Sequence, residues 1–173
     1  QADYMLVLEG PQGVGKSRAA RVLAGDPGWF TDSLYELSGK TSFESIKGKW
    51  IVEVGELAGM RKTEVNAVKA FLTATSDYYR PPYERRAQDF PRRCIFIGTV
   101  NPGDMGHFKD ETGNRRFWLV PVGSIDHDSL IADRNQIWAE AVAAFQAGEP
   151  HYLIDPDIIA DADLGDVFGI EMG

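Results

Sequence analysis

The octapeptide Gly10-Pro11-Gln12-Gly13-Val14-Gly15-Lys16-Ser17 constrains this chain more than any other feature. It fits the pattern G-x-x-x-x-G-K-[ST]. An apolar run from Tyr4 to Leu8 precedes it, and a helix-forming stretch from Lys16 to Ala24 follows, closed by Gly25 and Pro27. Strand, glycine loop and helix in that order make a cradle for phosphate. Glycines let successive backbone N–H groups curl round an anion, and the helix N-terminus adds positive potential. All eight residues, Gly10 to Ser17, are therefore expected to bind a nucleotide, with Lys16 reaching the β and γ phosphates and Ser17 ligating Mg²⁺. ATP and Mg²⁺ are the cofactors this loop calls for.

The 173 residues are enough for one ordinary domain. Further strands are expected at Trp29-Phe30, Trp50 to Val54, Cys94 to Val100 and Phe117 to Val122, and helices at Thr41 to Lys47, Met60 to Thr75 and Asp128 to Ala147. In the last helix Ile131, Ile137, Trp138, Ala141, Val142 and Phe145 should face inward. Between Thr75 and Cys94 the chain is too polar and proline-rich for either period, so a loop or irregular hairpin is expected. Strands alternating with helices imply an α/β fold of the P-loop NTPase kind, with a central, mostly parallel five-stranded sheet flanked by helices. Residues 1 to 150 form the expected ATPase core, and 151 to 173 an acidic segment linking to it or extending it.

The longest aliphatic or aromatic run is five residues, far short of the ~20 a membrane helix needs, and no secretory pattern opens the chain. With Cys94 alone there is no internal disulfide. A cytoplasmic location and no membrane partner are expected. The formal charge of −8 is unevenly spread. Residues 1 to 123 carry 17 Lys and Arg against 15 acids, whereas residues 124 to 173 carry only Arg134 against 11, so the nets are +2 and −10. Because binding responds to the local field, the whole-chain charge does not exclude nucleic acid.

Other strand ends complete an ATPase pattern. Glu53 and Glu56 close the Trp50 strand, where Glu53 suits a metal-side acid and Glu56 a base that activates water, with Mg²⁺ resting on Ser17, Glu53 and Glu56. Strand alternation sets the two acids on opposite faces unless Gly55 bends the chain. Asn101, at the carboxyl end of the Cys94 strand, can orient the attacking water. Arg115 and Arg116 open the last strand, and one of them is expected to serve the γ-phosphate. From Asp77 to Arg86 tyrosines alternate with guanidinium groups, and Tyr79, Arg80, Arg85 and Arg86 suit single-stranded nucleic acid. A competing reading has the prolines stiffening a surface loop while the tyrosines pack on the core.

The ordered set of phosphate loop, Glu53 to Leu57, Arg61-Lys62, Tyr79-Arg80-Pro81-Pro82-Tyr83, Thr99-Val100-Asn101 and Thr112-Gly113-Asn114-Arg115-Arg116-Phe117-Trp118 resembles the virulence-associated protein E family, from about Tyr4 to Pro150. The resemblance implies a superfamily III helicase-like ATPase of the AAA+ class, encoded by phages and mobile elements and often joined to a primase. Carried over, it makes Lys16 and Ser17 nucleotide ligands, Glu56 the catalytic acid, Asn101 the first sensor and Arg115 or Arg116 the finger. Gly55 departs from the pattern, since an aspartate usually precedes the glutamate. It also implies a homo-oligomeric ring, expected to be a hexamer, acting on single-stranded or forked DNA, and the chain is expected to be an excised ATPase domain. Two other functions fit the phosphate loop: a kinase passing the γ-phosphate to a small acceptor, and a nucleotide-gated assembly module without translocation.

Overall fold

The structure is a computed structural model that describes residues 3–34, 40–55, 62–102, 116–152 and 155. In chain order the elements are β1 (Met5–Glu9), α1 (Lys16–Ala24), a 3-10 turn (Pro27–Trp29), β2 (Phe30–Thr31), α2 (Lys40–Ile46) and β3 (Ile51–Val54). They continue with α3 (Lys62–Thr73), β4 (Ser76–Tyr79), β5 (Gln88–Pro91), β6 (Ile95–Val100), β7 (Phe117–Pro121) and α4 (His127–Gln146). Five strands make one sheet in the order β2-β3-β6-β1-β7, every neighbouring pair parallel. The expected α/β sheet is therefore present. β4 and β5 stand apart as an antiparallel hairpin, which resolves the proline-rich stretch.

Alternation along each strand divides the apolar side chains between two layers. Met5 and Val7 of β1, Val52 and Val54 of β3 and Phe96 of β6 pack with Val65, Val68, Phe71 and Leu72 of α3. Their neighbours Leu6, Leu8, Ile51 and Ile97 pack instead with Ala20 and Ala24 of α1. Both faces are covered, as a buried parallel sheet requires. Cys94 lies in the first layer, where burial pushes its thiol pKa up, so it is a packing residue.

α4 corrects the sequence expectation. It starts where Asp126 caps the backbone N–H groups of Asp128 and Ser129, and it packs on α1. Only Trp138 joins a core, 4.3 Å from Trp50 and donating its indole N–H to the Leu23 carbonyl. Ile131, Ile137, Val142 and Phe145 are exposed, Phe145 by 81%. Helical period shows which residues share a face, and a single narrow neighbour leaves most of this face in solvent. No described helix is long and apolar enough to cross a membrane.

Parallel pairing has one consequence for function. It gathers the carboxyl ends of β1, β3 and β6 at one edge, with the glycine loop, and the amino ends at the other, with the hairpin.

Candidate active site

The loop after β1 adopts the shape its glycines permit. Gly13 and Gly15 have φ of +85° and +91°, in the left-handed region that other residues rarely enter. Gly10 is demanded by close approach, since a Cβ there would overlap the Val122 carbonyl. Gly15 starts α1 with no side-chain cap and no acid in the first turn. The orphan N–H groups of the helix are thus left for an anion. Lys16 is buried and donates to the carbonyls of Gly10 at 2.5 Å and Pro11 at 3.0 Å, which holds its ammonium over the loop.

Glu53 points to the α1 side of the sheet because it sits two residues after Ile51. That side brings it to Ser17, whose Oγ donates to Glu53 Oε1 at 2.5 Å. Thr99 Oγ1 donates to the same oxygen at 3.3 Å. Glu53 is only 4% exposed, and its Oε2 is buried without a hydrogen-bond partner. A buried carboxylate oxygen with no donor, next to a hydroxyl where the glycine loop enters α1, is the donor set a hard cation uses beside phosphate. Among the described residues no cluster of three His, Cys, Asp or Glu side chains exists to hold a metal without a nucleotide. The residues therefore fit Mg²⁺ held by Ser17, Glu53 and the nucleotide together.

A cavity of about 510 Å³ opens over this pair, lined by Gln12, Gly13, Gly15, Lys16, Ser17, Arg18, Thr99, Val100 and Asn101. Asn101, exposed just beyond β6, thus shares the cavity with Lys16 and Ser17. Glu56 and Arg115 lie outside the described residues. Arg116 is described and does not join the cavity. Phe117 pairs with Met5, so Arg116 sits at the amino end of the sheet, roughly 16 Å along the strand from the end of β1 that launches the loop. That gap exceeds the reach of an arginine side chain, and Arg116 cannot touch a phosphate bound in its own loop.

Thr99 is the site residue that sequence reasoning passed over. Its signal was available: it stands two residues after Ile97 on the same strand, hence on the face that carries Glu53. His127 is a neighbour of the loop that only the fold supplies. α4 brings its imidazole against Gly15, where a Cβ would take the same space.

The hairpin corrects one residue of the expected nucleic-acid set. Tyr79 is 6% exposed, its ring 4.7 Å from Phe90 and 6.1 Å from Phe43, and burial raises its pKa. It packs on the core and offers no stacking face. Arg80, Arg85 and Arg86 are exposed around the tip, and Tyr83 projects fully into solvent with a φ of +66°. A bulky residue in that region costs about 1 kcal/mol, and such strain persists where a side chain has a use. Tyr83→Gly should therefore raise stability by about 1 kcal/mol in urea unfolding while weakening any nucleic-acid binding. A fall in stability would show that the Tyr83 ring packs in solution.

No curated protein matches this chain. Among solved structures it is similar to the apo A form of the NrS-1 C-terminal region, with a TM-score of 0.57 and 16% identity over 77% of this chain and 35% of that one. A second structure, of the 305-718 form of that region, gives 0.52 and 17% over 78% and 33%. These likenesses are of fold, and the chain spans about a third of each. Family comparison reaches further. The virulence-associated protein E-like domain matches residues 1–162, and the chain belongs to that family.

Proposed function

We propose that this chain is the ATP-hydrolysing motor domain of a phage or mobile-element replication protein, a P-loop ATPase of the AAA+ class that works as a ring on DNA. The observation that carries the reading is the Ser17–Glu53 pair beneath Lys16, with Glu53 Oε2 unpartnered. The sheet order supports it, since β6 lies between the loop strand and the acid strand and delivers Thr99 and Asn101 between them.

On this reading Lys16 exchanges the Gly10 and Pro11 carbonyls for the β and γ phosphates, and the free N–H groups of α1 take up phosphate oxygens. Ser17 and Glu53 are the residues that would hold Mg²⁺, Ser17 giving up its hydrogen bond to Glu53. When bound, the ion would supply charge that offsets what develops on the phosphate oxygens. Asn101 orients the attacking water and Glu56 accepts its proton. Arg116, too far from its own loop, or Arg115 stabilises the γ-phosphate held by a neighbouring copy. Arg80, Arg85 and Arg86, with Tyr83, engage DNA. A primase domain or protein is the partner this reading calls for.

ATP turnover per chain, measured against protein concentration with and without single-stranded DNA, tests the reading. Turnover should rise with both, because the arginine comes from a neighbour. An Arg116→Ala variant mixed with Lys16→Ala should hydrolyse faster than the two measured apart, if Arg116 is the finger. Phosphate passed to a small acceptor at a rate independent of concentration and DNA would indicate a kinase. Binding without turnover under all conditions would indicate an assembly module.

A further inference from the structure

The amino end of the sheet holds a second cavity, about 580 Å³, at the opposite edge from the phosphate loop. Trp29 of the 3-10 turn, Phe90 of β5 and the segment joining α2 to β3 line it. Lys47, Lys49 and Arg93 stand around it. The acid facing them, Asp77, is already matched by the buried Arg92 at 2.5 Å. None of the three cations has a carboxylate partner among the described residues: Lys47 lies over the Phe90 ring at 4.3 Å, and Lys49 donates to the Gly28 carbonyl. Among the described residues the positive charge at this cavity has no carboxylate to balance it.

Its aromatic wall is braced. Trp29 is 51% exposed, with Trp50 edge-on behind it at 6.0 Å and Trp138 behind Trp50. A rigid indole face beside cations that no described carboxylate pairs is the combination that takes an unpaired base and its phosphates. The volume suits a single base rather than a duplex. β5 lines this cavity and also carries the chain back from the arginine-bearing hairpin tip, so the two surfaces are joined by one strand.

We propose that this cavity is a second contact for single-stranded nucleic acid, with a base stacked on Trp29 and the flanking phosphates on Lys47, Lys49 and Arg93. The proposal rests on the DNA reading above and extends the path of the strand from the hairpin tip to the amino end of the sheet. Duplex DNA gains nothing from it, so the site favours unwound strand.

Anisotropy of a fluorescein-labelled 15-mer of deoxythymidine, titrated with the whole chain at several salt concentrations, reads the site. Trp29→Ala should weaken binding about tenfold, and Trp29→Phe should recover most of the loss. The pair Lys47→Ala, Arg93→Ala should lower the log–log salt slope by about 1.4, at 0.7 per lost phosphate contact. An iododeoxyuridine oligonucleotide should cross-link to a peptide containing Trp29. Unchanged affinity and slope in these variants, in a protein whose binding falls with Arg85→Ala and Arg86→Ala, would overturn the cavity alone. No binding by the unaltered chain would overturn the DNA reading beneath it.

Discussion

Lys16→Ala should abolish ATP binding, raising Kd at least a hundredfold in calorimetric titration. Lys16 is the only lysine among the described residues that line the cavity, and its ammonium already sits among loop carbonyls, so little reorganisation separates it from a bound phosphate. Two charge-assisted hydrogen bonds to phosphate contribute about 1.5 to 3 kcal/mol each, and the lower bound of their sum gives the hundredfold change. Glu53→Gln should behave differently. It keeps the loop and the Ser17 contact but removes the charge, so ATP should bind in the absence of Mg²⁺ as before while the gain on adding Mg²⁺ disappears. Far-UV circular dichroism of both variants should match the unaltered chain. ATP binding by Lys16→Ala at normal affinity would dismiss the loop as the nucleotide site, and a full Mg²⁺ effect in Glu53→Gln would move the metal to Glu56.

Asp77→Ala should destabilise the fold by about 3 to 5 kcal/mol, measured from the urea midpoint at constant m. Arg92 is buried, its Nε bonds both Asp77 oxygens at 2.9 Å, and its guanidinium lies 4.0 Å over the Phe71 ring while donating to the Phe71 carbonyl. That one side chain ties the base of the hairpin to the last turn of α3, where carbonyls lack helical partners. Removing the acid strands a buried cation, the costly half of a buried pair. Replacing both, Asp77→Leu with Arg92→Met, should restore most of the stability, because desolvation is then relieved on both sides. The double variant loses the tether to Phe71, so its hairpin should bind DNA less well than its stability suggests. A loss below about 1 kcal/mol for Asp77→Ala would mean the pair is solvated in solution.

Much of this protein is readable along the chain because the governing physics is local. The glycine loop is legible since positive φ, an uncapped helix start and close backbone approach each require particular residues at fixed spacing. The strands and helices follow from period, and counting two residues past Ile51 puts Glu53 on that residue's face of the sheet. The arginines at the hairpin tip are legible as composition.

What the tertiary structure alone decided concerns neighbours distant in sequence. Tyr79 and Tyr83 look equivalent along the chain, yet Phe43 and Phe90 close over one while the other stands in solvent. Arg92 cannot be told along the chain from the exposed arginines of the hairpin tip until Asp77 meets it under the hairpin. Arg116 reads as a γ-phosphate ligand, and parallel pairing with β1 carries it to the far end of the sheet from its own loop. The apolar stripe of α4 predicts a shared face, and only the placement of α1 shows that most of it is left uncovered. Period and spacing determine which side chains point together. Which element arrives to cover, pair or isolate them depends on strand order and helix packing, and those are fixed by the summed burial of both layers rather than by any one segment.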